Sequence, residues 1–173
     1  TPQEVDWSLS AMNPLTGWLV LLIVIYHIIA IAPWLGYPAA AGYGLLMAVV
    51  TIVVFTAATV GLYVWAKRGD EIMHGLSTQL ALSVGYQLFI IPLASLRFVM
   101  EHGGFWGMIL GLPLLVWLIA TVVRAHSAYT GKHGFWILLW WLATLALTIT
   151  VFTFAADALG IYVDISSPPR ALR

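Results

Sequence analysis

Histidine is the residue of this chain best suited to chemistry, and five are present: His27, His74, His102, His126 and His133. An imidazole ligates zinc, copper or haem iron, and it hydrogen-bonds a quinone carbonyl. Asp70 and Glu71 precede His74 by four and three positions. An early helix start therefore projects a carboxylate and an imidazole from one side. Joined by His126 and His133, this yields a candidate metal set of Glu71, His74, His126 and His133, suited to zinc, iron or copper. The same polar stretches offer His74, His126, His133 and Arg124 as candidates for holding a quinone head or a lipid headgroup. The spacing is not diagnostic, because a lone Glu-x-x-His is common and the paired motif of a helical di-iron site is missing. The plainer alternative is a set of solvated interfacial residues that end helices.

Haem fits less well than a quinone or a metal. A bis-histidine haem takes two ligands at one depth on facing helices, and no histidine matches His27 near the middle of the first apolar stretch. His27 reads instead as a neutral core histidine bonded to a partner such as Gln87 or Tyr86.

A second constellation lies on the apolar stretch from Gly75 to Glu101. At about 100° per residue, Gln79, Ser83, Gln87, Arg97 and Glu101 fall within a sector roughly 80° wide. A polar side chain in hydrocarbon needs a partner, so this face is expected to point into a bundle, with His27, Gln79, Ser83 and Gln87 as its interior polar groups. Arg97, Glu101 and Asp157 are expected as an ion pair or triad at the end opposite the histidine cluster. Gly103, Gly107 and Gly111 recur at intervals of four, a spacing that lets another helix approach closely.

Several classes are excluded. No span holds a lysine, which removes a retinal-type Schiff base, and acidic residues sit only near span ends, which argues against a deep carboxylate relay. Walker, Gly-x-Ser-x-Gly and His-Glu-x-x-His signatures are missing. Cysteine is absent, so neither disulfides nor thiolate metal sites arise.

The elements that must position these residues follow from composition. Of 173 residues, 62% are apolar and 8% charged, with a mean hydropathy of +0.97, against roughly 25% charged residues in an ordinary soluble domain. This is the composition of a membrane protein. Seven basic and seven acidic residues balance, so nucleic acid is not an expected partner, while lipids and other membrane subunits are. The opening Thr-Pro-Gln-Glu-Val-Asp lacks the form of a signal peptide.

The fold class expected is an all-α integral membrane protein, a single domain of five transmembrane helices at about 14–34, 43–66, 74–100, 105–123 and 134–156. Each is near the ~20 residues that cross a bilayer. Asn13-Pro14 supplies an N-cap and a first-turn proline for span one. Residues 35–42 read as a turn, 67–71 as a charged linker, 124–133 as a polar linker and 157–173 as an extramembrane tail. Pro92 is expected to loosen span three. Lys67, Arg68, Arg124 and Lys132 share one face of this topology, which favours a cytoplasmic N-terminus and an external C-terminus. Trp18, Trp34, Trp65, Trp106, Trp136, Trp140 and Trp141 fall near span ends as an aromatic belt.

The function this suggests is a subunit of a larger membrane complex, respiratory or electron-transferring, with a quinone or other lipophilic cofactor nearby. Two alternatives belong to other classes: a small channel or carrier with a polar lumen lined by the third span, and a structural or assembly subunit without a ligand. Any enzymatic role would be that of an accessory subunit of a membrane oxidoreductase.

Overall fold

The computed structural model describes residues 9–99 and 104–161, with side chains at 14–32, 35–92 and 112–161. Five long helices account for nearly all of it: α1 (Leu9–Leu35), α2 (Tyr37–Trp65), α3 (Ile72–Val99), α4 (Gly104–Thr130) and α5 (Gly134–Ala158). A short 3₁₀ turn, Gly69–Glu71, leads into α3, and no strand occurs among the described residues. Four helical segments are long and apolar enough to cross a membrane: Pro14–Ala32, Tyr37–Trp65, Leu112–Thr130 and Gly134–Ala158. The fifth helix, α3, is of similar length but carries the polar row.

The connections are tighter than composition suggests. Residues 35–42, expected as a turn, contribute only Gly36 to the break between α1 and α2. Gly36 has φ +83°, a left-handed backbone that favours glycine, and Pro38 sits in the first turn of α2, where its missing N–H costs nothing. At the other end α2 is closed by Lys67 at φ 59°, with the Arg68 N–H bonded to the Tyr63 carbonyl at 2.9 Å and the Lys67 N–H to the Val64 carbonyl at 3.0 Å. This is a Schellman closure. It anchors the chain on Tyr63.

Two further boundaries move. Helix α1 begins at Leu9, so Asn13-Pro14 lies inside the helix and does not cap it. Helix α3 runs through Pro92 and α4 through Pro113. The largest correction concerns the expected linker 124–133. Helix α4 continues through Arg124 to Thr130, because no glycine or proline interrupts it before Gly131, which turns at φ +66°. His126 is thereby carried into the bundle.

The helices close a ring in the order α1, α3, α4, α5, α2, with α2 also touching α3. Leu19, Ile23 and Ala48 form the buried contact of α1 with α2, extended by Leu80 and Val84 of α3. At the other end Leu62, Tyr63 and Ile137 are buried together, with Val123, Tyr129 and Trp140 packed around them. Gly44 permits a close crossing of α1 and α2: a Cβ there would lie 2.9 Å from the Val24 Cα.

Candidate functional site

The polar groups converge at the end of the bundle where α2 and α4 finish and α3 and α5 begin. The centre is His126, which is 0% exposed. Its Nε2 is 3.2 Å from the Gln79 Oε1 and its Nδ1 is 3.1 Å from the Tyr63 hydroxyl. The amide oxygen can only accept, so Nε2 carries the proton and donates, and Nδ1 accepts from the Tyr63 O–H. The imidazole is neutral, with both nitrogens committed. Gln79 passes the chain on, its Nε2 donating to the Ser83 Oγ at the long distance of 3.5 Å.

Each link has a local cause. Tyr63 reaches His126 because its ring lies against Gly75 of α3: a Cβ on Gly75 would sit 2.5 Å from two atoms of the Tyr63 ring. Trp140 of α5 closes another side, its ring centroid 5.1 Å from that of His126 and its Nε1–H donating to the Ala58 carbonyl of α2 at 3.1 Å. Thr130, one turn beyond His126, donates to the His126 carbonyl at 2.6 Å and accepts from the Lys132 N–H at 3.3 Å, fixing the end of α4.

Chemically the centre is a phenol hydrogen-bonded to a base whose tautomer is fixed by an amide. The Tyr63 proton is donated toward Nδ1 in a neutral hydrogen bond. It cannot pass freely through Gln79, whose amide would have to change tautomer. Gln79 therefore orients His126 and does not conduct.

Nearer the surface, His74 Nδ1 lies 3.0 Å from Glu71 Oε2, and Arg68 lies 3.7 Å from the same carboxylate. The expected carboxylate and imidazole do share a side, through Glu71; Asp70 is exposed. The His74 ring stacks on Tyr129 with centroids 6.0 Å apart. His133 caps α5, its Nδ1 accepting the Phe135 N–H at 3.2 Å while the residue stays exposed. Arg124 is exposed on α4, and the Lys132 ammonium rests over the Trp65 ring at 4.5 Å.

The four residues Glu71, His74, His126 and His133 share one end of the bundle but do not converge. Among the described residues no group of three or more His, Asp or Glu side chains is placed to hold a metal ion, and His126 has no nitrogen to spare. His27 is also corrected: its Nδ1 donates to the Ile23 carbonyl of its own helix at 2.8 Å and its ring meets Tyr26 and Tyr43, while no hydrogen bond to Gln87 or Tyr86 is found among the described residues. The Gln87 Oε1 is buried without a hydrogen-bond partner among the described residues. Of the expected Arg97, Glu101 and Asp157 group, Glu101 and the Arg97 side chain lie outside the described residues, as does Gly103 of the glycine stripe; Gly107 and Gly111 belong to α4.

Sequence reasoning missed Tyr63, Gly75 and Trp140. A usable signal existed only for His126: its i, i+4 spacing to Thr130 in a segment free of helix breakers. Between α4 and α5 runs an apolar groove of about 330 Å³, lined by Val116, Ile119, Ala120 and Val123 on one side and Gly134, Phe135 and Leu138 on the other. It reaches the first turn of α5, next to His133. Comparison with protein families, with curated proteins and with solved structures finds no match for this chain.

Proposed function

We propose that the chain is a five-span integral membrane protein, N-terminus cytoplasmic and C-terminus outside, acting as a subunit of a larger electron-transfer complex that holds a quinone or similar lipophilic cofactor where α4 and α5 meet. The observation that carries this reading is the groove that reaches Gly134, the residue after His133. Its lining is wholly apolar, matching an isoprenoid or acyl tail, and ligand sites of this kind pair such walls with a few placed polar groups. One residue before Gly134 of this lining, His133 spends Nδ1 on the Phe135 N–H, so Nε2 carries the proton and is left to donate to a carbonyl. Arg124 lies on α4 one turn from Ala120 and is exposed. Four basic residues at this end, Lys67, Arg68, Arg124 and Lys132, favour its placement on the cytoplasmic side.

The test is photolabelling of the purified protein in nanodiscs with an azido-quinone, followed by peptide mapping. Labelling is expected to concentrate on Val116–Val123 and Gly134–Leu138, and to fall when unlabelled quinone competes. Label spread evenly over every lipid-facing helix, unaffected by competitor, would sink the proposal.

A further inference from the structure

Every described threonine of α4 and α5, from Thr121 to Thr153, donates its hydroxyl to the carbonyl four residues earlier. This is the ordinary resting place of a threonine on an apolar helix. On α2, none of Thr51, Thr56 and Thr59 makes such a bond among the described residues. Thr59 Oγ1 is buried without a partner among the described residues, whereas the Thr51 hydroxyl is left available to a partner in a neighbouring cavity. Thr51 and Thr56 line a cavity of about 20 Å³ between α1, α2 and α3, whose other polar walls are Gln79 and Ser83, and whose apolar walls include Leu19 and Phe55.

We propose that this cavity is a binding site for one water molecule that joins Thr51 of α2 to Gln79 and Ser83 of α3. A water needs roughly 10–15 Å³ of such space and two to four polar partners. The cavity supplies both. The Gln79 amide nitrogen donates one proton toward Ser83 and keeps a second for the water oxygen. One of the water's own protons then goes to the Thr51 hydroxyl oxygen. Tyr63, His126, Gln79, Ser83, the water and Thr51 become one connected polar spine, which spans the twelve steps from Thr51 to Tyr63 on α2, or about 18 Å along its axis. The site stands independently of any quinone at the α4–α5 groove, since no residue is shared between the two.

Thr51→Val tests it, because the change is nearly isosteric and its sign depends on the water. With water bound, the variant removes a partner from the site, and the melting temperature in detergent is expected to fall by a few degrees, with Thr51→Ser recovering most of the loss. In a dry cavity the variant merely exchanges an unbonded hydroxyl for a methyl group, and the melting temperature stays level or rises, which would overturn the proposal. The direct readout is a cross-relaxation signal from a long-lived water to the Gln79 side-chain amide in the nanodisc-embedded protein. It is expected in the wild type and weakened in Thr51→Val; a wild-type protein without it contradicts the site.

Discussion

Two histidine environments lie at one end of the bundle, and they differ in what they leave uncommitted. His126 is enclosed by Tyr63, Gln79 and Trp140, and both of its nitrogens are spent. His133 sits at an exposed rim with one nitrogen capping α5 and the other without a protein partner among the described residues. The enclosed site holds the bundle in register, since a buried network must be fully satisfied and so admits one arrangement of α2, α3 and α4. The rim site can take an outside ligand. A histidine count alone would have merged the two.

The largest effect is expected from His126→Leu. It leaves the Tyr63 hydroxyl and the Gln79 carbonyl oxygen buried without a partner. Hydrogen bonds between membrane helices average only about 0.6 kcal/mol, because freed groups usually find other partners. Here Tyr63 is fully buried, its ring held against Gly75, and it cannot turn away. The cost should therefore approach the roughly 1–3 kcal/mol of each orphaned buried group. Thermal or denaturant unfolding in detergent measures it. A loss no greater than that of an exposed histidine would erase the distinction between the two environments.

Gly75→Ala should come next, through sterics alone. The added methyl falls 2.5 Å from the Tyr63 ring, on a side chain with no free volume. Overpacking of this kind costs about 1–3 kcal/mol. If the damage runs through the Tyr63–His126 bond, combining Gly75→Ala with His126→Leu will cost less than the sum of the two, since both break the same link. Strict additivity would mean that Gly75 serves only helix packing.

The difference between the two environments was only partly legible in the sequence. The apolar runs gave the five helices, and the 3.6-residue period placed Gln79 and Ser83 on one face; Gln79 is indeed only 6% exposed. The pairing across helices was not legible. Polar composition made residues 124–130 look like a linker, although Arg124, Ala125 and Ala128 are good helix formers and the stop comes only at Gly131. Tyr63 and Gly75 carry no signal in isolation: one is an aromatic near a helix end, the other a glycine in a helix. Their meaning arises from contact over sequence separations that no local pattern encodes.

The smallest expected effect is at the rim. His133→Ala removes an N-cap acceptor, a change that costs about 0.5–2 kcal/mol. Water reaches this exposed site and can take over the Phe135 N–H, so the loss should lie at the low end of that range. Hydrogen exchange is the sensitive probe: the amides of Phe135 and Trp136, in the first turn of α5, should exchange faster while those near Ile137, buried against Leu62 and Tyr63, keep their protection. The reason is structural: the cap holds only the first turn, whereas Ile137 is held by the packed interior around Tyr63. Faster exchange spreading past Ile137 into α5 would show that rim and interior are coupled, and that the capping histidine helps to support the enclosed one.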